Sequence, residues 1–160
     1  MSKQVSITRR LEFDAGHRIP SHGGQCRNIH GHRYRLDLTL SGEVLHQEGA
    51  PDDGMILDFG DIKSLANEHL VSKWDHAFLI YRGDTALLNF LQSMDNHKTV
   101  VIDSIPTVEN LAQVAFDILA PIFKDCFGHH LQLTRLVLFE TPNCWAEVSA
   151  PLSSSLPAQD

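Results

Sequence analysis

The chain has 160 residues, 42% of them hydrophobic and 21% charged, which is enough apolar material for one compact core without disulfide stapling and too little chain for two full domains. Its 13 basic against 20 acidic residues leave a formal net charge of −7, which argues against a general binder of nucleic acid or of an anionic membrane. No apolar run approaches the ~20 residues of a bilayer span and the start MSKQVSITRR has no apolar signal segment, so a soluble, cytoplasmic protein is expected.

From Val5 to Phe13, apolar Val5, Ile7, Leu11 and Phe13 alternate with polar Ser6, Thr8, Arg10 and Glu12, the period-two pattern of a half-buried strand. Gly16 to Gly31 follows as a loop too long for a hairpin turn, and long ordered loops are usually functional. A second strand has Tyr34, Leu36, Leu38 and Leu40 on one face, and a turn region then runs from Gly42 to near Gly54. Beyond Asp58, residues Phe59, Ile62, Leu65, Ala66, His69 and Leu70 recur at helical spacing, with Asp58 or Asp61 as N-cap. Thr85 to Met94 is helical and Thr99 to Ile102 β-like. Pro106-Thr107 opens a second main helix with the stripe Leu111, Ala115, Ile118, Leu119 and Ile122, which Pro121 is expected to kink or end. Leu131 to Glu140 is a last long strand, Trp145 to Ser149 a shorter partner, and residues 151–160 a polar flexible tail. This order predicts an α+β fold for residues 1–150: an antiparallel four-stranded sheet with helices packed on one face, whose uncovered edge invites self-association.

Two compositional features point to chemistry. Cys26, Cys126 and Cys144 are odd in number and irregular in spacing, which suits a reduced compartment with a functional thiol. Up to Arg35, seven basic residues meet only Glu12 and Asp14, so a chain acidic overall is basic around its histidines and can draw in a small anion.

His30-Gly31-His32 precedes the second strand, where alternation puts both imidazoles on the covered face, about 6.6 Å apart along the backbone. His17, on the parity of Phe13, supplies a third donor from the neighbouring strand. Catalytic zinc commonly takes three protein ligands and leaves the fourth position open. The bland alternative is a set of histidines satisfied by hydrogen bonds, and His22, His46, His69, His97, His129 and His130 are read that way. Cys26 is either a fourth ligand closing a structural zinc site or a free thiol acting as base or nucleophile. Asp75-His76 suits acid–base work, although adjacent residues in a strand face opposite ways. Glu140 has the parity opposite to Leu131, Leu133, Val137 and Phe139, as an edge carboxylate or a buried acceptor for a guanidine-like ligand edge. Thr107 is a good N-cap and Glu109 sits where a helix dipole favours an acid. Asp58-Phe59-Gly60 matches a kinase metal motif only by chance, since its partner motifs are missing.

Taken in order, His17, Cys26-x-x-x-His30-Gly31-His32, Trp74-Asp75-His76, Pro106-Thr107-Val108-Glu109-Asn110 and Phe139-Glu140-Thr141 resemble the 6-pyruvoyltetrahydropterin synthase superfamily from about Leu11 to Val148. The short gap between Cys26 and His30 is similar to its 6-carboxytetrahydropterin synthase (QueD-type) branch. The resemblance implies a tunnelling fold (T-fold) whose subunits join their sheets into a barrel and stack as a homohexamer, with active sites between subunits. It further implies a carbon–carbon lyase of queuosine biosynthesis, turning 7,8-dihydroneopterin triphosphate into 6-carboxy-5,6,7,8-tetrahydropterin, acetaldehyde and triphosphate.

By the same resemblance His17, His30 and His32 bind zinc (Zn2+) and Cys26 is the proton-shuttling thiolate. His76, supported by Asp75 or Glu140, is the relay; Glu140 also anchors the 2-amino pyrimidine edge, and Thr107 and Glu109 line the pterin pocket. Arg18 and Arg27 are the candidates for the triphosphate from the locally basic charge. The segment Tyr81 to Ile102 is longer than in compact members. The competing readings are a 6-pyruvoyl-type synthase or related pterin aldolase, and a non-catalytic zinc module with Cys26 as fourth ligand.

Overall fold

The computed structural model describes residues 3–151; from residue 152 onward the expected polar tail lies outside the described residues. In chain order the elements are β1 (Val5–His17), a 3-10 turn (Gln25–Arg27), β2 (His30–Gly42), α1 (Phe59–Ala66), a π-helical stretch (Asn67–Val71), α2 (Ser72–Trp74), β3 (Ala77–Tyr81), α3 (Thr85–Ser93), β4 (Thr99–Ile102), α4 (Val108–Phe127), β5 (Leu131–Thr141) and β6 (Cys144–Ser149). Among the described residues no helix is long and apolar enough to cross a membrane.

One sheet holds the strands in the order β4-β3-β1-β2-β5-β6. The pairs β1/β2, β2/β5 and β5/β6 are antiparallel and form the expected four-stranded unit. Two parallel pairs, β1/β3 and β3/β4, extend it, so the sheet is mixed and six-stranded rather than four-stranded and antiparallel. Strand β3 escapes the sequence pattern because it is buried on both faces, and such strands read as unbroken apolar runs. Ala77 and Leu79 belong to the main core, whereas Phe78 and Ile80 pack with Leu87 and Leu91 of α3. Helix α3 therefore covers the opposite sheet face from α1 and α4, which corrects the expectation of helices on one face only.

The main core joins Leu11 and Phe13 of β1 and Tyr34, Leu36, Leu38 and Leu40 of β2 to Ile62 and Ala66 of α1 and Leu111, Ala115, Leu119 and Phe123 of α4. Helix α4 begins at Thr107, whose side-chain oxygen accepts from the Asn110 N–H at 3.3 Å, and ends at Gly128, which adopts φ 73°. It runs through Pro121 instead of stopping there. Pro121 is on the exposed side, where water can satisfy the freed carbonyl, while fully buried Leu119 and Phe123 hold the flanking turns on the sheet.

Two backbone details place the site. The β1/β2 register sets Phe13 opposite Tyr34, Ala15 opposite His32 and His17 opposite His30. In β5, Thr39 pairs with Arg135 and Leu40 with Leu133, leaving Thr134 as a bulge. The bulge switches the inward parity from Leu131 and Leu133 to Leu136 and Leu138, and Glu140 follows on the inner face. This overturns the parity read for Glu140 from its apolar neighbours.

Candidate active site

The end of β1 and the start of β2 bring three imidazoles together. Ring centroids lie 4.6 Å apart for His17 and His30, 5.1 Å for His17 and His32, and 5.0 Å for His30 and His32. One ring nitrogen from each falls within 4.8 Å of the others. The Nδ1–H of His17 donates to the Pro106 carbonyl at 2.7 Å and that of His30 to the Asn28 carbonyl at 2.6 Å. Because a carbonyl only accepts, these bonds set the tautomer and leave both Nε2 lone pairs free. His17 is 1% exposed, and its Nε2 is buried without a hydrogen-bond partner. An orphaned acceptor of that kind costs roughly 1–3 kcal/mol unless something binds it.

The electrostatics match a cation held by neutral rings. Burial pushes the His17 imidazole down to about 4, with the two neighbouring histidines adding to the shift and the Pro106 carbonyl opposing it. Burial also lowers His32, against the pull of the Glu140 carboxylate. Deprotonated imidazole is the form that ligates a metal. Beneath the cluster Tyr34 is fully buried, its phenol raised chiefly by burial. Phe13 stacks on Tyr34 at 5.3 Å, and Trp74 meets Phe13 edge-on at 6.1 Å, so the floor is close-packed.

A cleft of about 540 Å³ adjoins the cluster, and Cys26, Thr107, Glu109, Glu140, Cys144 and Trp145 are among its lining. Glu140 joins the two places: its Oε1 lies 3.4 Å from His17 Nε2 and 3.6 Å from His32 Nε2. Cys26 rides on the 3-10 turn, where its carbonyl accepts from the Ile19 N–H at 2.8 Å. Its thiol is free and half-buried, and among the described residues the donor group around the three imidazoles does not include it. Cys144 and Trp145 were not recognised in the sequence as cleft residues. The short connection from Glu140 to the next strand was the available signal, because a tight hairpin carries its far side back beside Glu140.

His76 lines a different hollow from Cys26, together with Asp14, His32, Arg33, Phe78 and His97, so this hollow meets the histidine cluster at His32. Asp75 and His76 form a turn, not a strand. His76 adopts φ 60°, which brings its Nδ1 to 3.1 Å from Asp75 Oδ1, so the pair meets despite being adjacent. The Asp14 N–H donates to Asp75 Oδ1 at 2.9 Å and the His76 N–H to the Asp14 carbonyl at 2.7 Å. The Asp14 N–H is the main cause holding the Asp75 carboxyl below its usual range, and the His76 hydrogen bond adds to it. Gly16 is required here because a Cβ would sit 2.8 Å from the Phe78 ring.

Neither arginine expected to meet phosphate lines the cleft. Arg18 makes a two-pronged ion pair with Asp84 through Nε, 2.6 Å from Oδ2, and through Nη2. Arg27 is exposed, and among the described residues its side chain bonds the Gly23 and Gly24 carbonyls, each at 3.3 Å.

The model of the 6-pyruvoyl tetrahydropterin synthase family matches residues 6–151. A Rickettsia bellii protein named 6-carboxy-5,6,7,8-tetrahydropterin synthase is 36% identical over 90% of this chain and 99% of its own length. A Haemophilus influenzae protein of the same name is 31% identical over 88% and 96%. The solved 6-pyruvoyl tetrahydropterin synthase of Plasmodium vivax superposes with a TM-score of 0.69 at 16% identity, covering 92% of this chain and 98% of that one. At that identity the likeness speaks for the fold, which is the tunnelling fold with the strand count corrected above.

Proposed function

Since the chain belongs to the 6-pyruvoyl tetrahydropterin synthase family, we propose that it is a zinc-dependent 6-carboxy-5,6,7,8-tetrahydropterin synthase acting on 7,8-dihydroneopterin triphosphate, with acetaldehyde and triphosphate as the other products. The names of its relatives support this substrate class. The observation that carries the metal is the buried, unpartnered Nε2 of His17, facing His30 and His32 beside the cleft that contains Cys26. In this reading the enzyme works in the cytoplasm, in queuosine biosynthesis, as a homohexamer with sites between subunits.

His17, His30 and His32 would hold the ion, which when bound polarises the side-chain hydroxyls of the substrate and acidifies the neighbouring C–H. The Cys26 thiolate takes the carbon-bound proton within the cleft. His76, turned toward Asp75 by its left-handed backbone, returns a proton from a neighbouring subunit, since within one chain it lines a different hollow from Cys26. Glu140 accepts from the 2-amino pyrimidine edge of the pterin, and Thr107 and Glu109 form the pocket beside it. Arg27 is the stronger remaining candidate for the triphosphate, because Arg18 is committed to Asp84. The zinc-module alternative needs Cys26 among the donors, and the three-histidine donor group weighs against it.

The test is incubation of the zinc-loaded protein with 7,8-dihydroneopterin triphosphate. Acetaldehyde together with the mass of the carboxylated tetrahydropterin supports the proposal. A pyruvoyl product without acetaldehyde supports the sister activity, and no turnover of the pterin overturns both.

A further inference from the structure

Asp84 stands at the N-cap of α3, where a carboxylate ordinarily accepts from the first helical N–H groups, yet its side chain caps nothing. Both its oxygens instead take the guanidinium of Arg18. Asp84 is only 7% exposed, so removing the Arg18 guanidinium leaves a largely desolvated carboxylate unpaired. Arg18 immediately follows His17, the last residue of β1. The parallel pairing of β1 with β3 also stops there, at His17 opposite Leu79. The strand thus leaves the sheet at the residue carrying the buried imidazole, and the fork beyond it ties that point to the β3–α3 turn. The planar guanidinium fixes direction as well as distance, which a single ammonium contact does not.

We propose that the Asp84–Arg18 pair is a positioning device for His17: it holds the end of β1 so that His17 Nε2 converges on His30 and His32, and thereby sets the affinity of the three-histidine site for a divalent metal. The claim rests on the reading that these histidines hold zinc. It gives the longer segment between Tyr81 and Ile102 a role as a brace behind the site, and it moves Arg18 from substrate binding to support of a ligand.

The test compares wild type with Asp84→Asn and Arg18→Lys. Zinc affinity is measured by competition with a chromophoric chelator, and the site is viewed through the visible absorption of the cobalt(II)-substituted protein. Circular dichroism and thermal unfolding of the metal-free proteins report folding. Asp103→Asn serves as the control, because it removes the exposed bridge from Asp103 to Arg82 of that segment without touching β1. The expected result is a loss of zinc affinity of about tenfold or more in both test variants, an altered cobalt(II) spectrum, unchanged KM, and wild-type behaviour in the control. Should Asp84→Asn fail to fold, Arg18→Lys keeps the charge and carries the comparison. Folded variants with wild-type affinity and spectrum overturn the proposal, as does a raised KM for the triphosphate substrate with zinc affinity intact. Failure of wild type itself to bind zinc stoichiometrically strikes the three-histidine reading first.

Discussion

Glu140 Oε1 lies 3.4 Å from the buried Nε2 of His17, although the two residues come from opposite ends of the chain and the apolar pattern of β5 points Glu140 away from the core. The Thr134 bulge brings them together. One carboxylate consequently faces both the three-histidine cluster and the cleft, a position suited to holding the edge of a ligand bound there.

Glu140→Gln keeps the shape and removes the charge. Turnover is expected to fall about 100-fold or more, on the scale of a lost acid–base or charge-assisted contact, while zinc content stays at the wild-type value. Steady-state kinetics and metal analysis on the same sample check this. Loss of zinc would instead make Glu140 a ligand.

His30→Ala removes one of three donors, one whose tautomer the Asn28 carbonyl holds in place. Zinc should no longer be retained stoichiometrically through gel filtration, and product formation should vanish with it. Retained zinc would place the metal elsewhere.

His76 pays for its left-handed backbone with a strain of about 1 kcal/mol, and Asn tolerates that conformation. His76→Asn should therefore leave stability within about 0.5 kcal/mol of wild type in urea titrations while turnover drops about 100-fold. A fall in both together would make His76 structural.

Acid should unfold the metal-free protein through His17. Folded, this imidazole resists protonation down to about 4 against an ordinary value of 6.5. The unfolded chain thus binds more protons between those values, and stability rises with pH across that window. It is fully present above about 6.5 and is lost as the pH falls toward 4. Urea midpoints of wild type and His17→Gln across this range check the sign, with a flatter profile expected in the variant.

The histidine cluster was legible in the sequence because alternation about Phe13 and Tyr34 fixes which face is covered, and register then leaves no freedom to His17, His30 or His32. Strand β3 was not legible, since Ala77 to Tyr81 is buried on both faces and shows no alternation. Glu140 was misread because no residue type announces a bulge at Thr134. The meeting of Asp75 with His76 depends on a positive φ that the pattern does not encode. The tie between Arg18 and Asp84 spans 66 positions, beyond the reach of any local signal.

The most direct test is zinc stoichiometry and acetaldehyde release measured on one preparation of Cys26→Ala. With three imidazoles holding the metal and the sulfur outside the donor set, the variant keeps its full complement of zinc and releases no acetaldehyde. Zinc leaving together with the sulfur would make Cys26 a ligand and contradict the account.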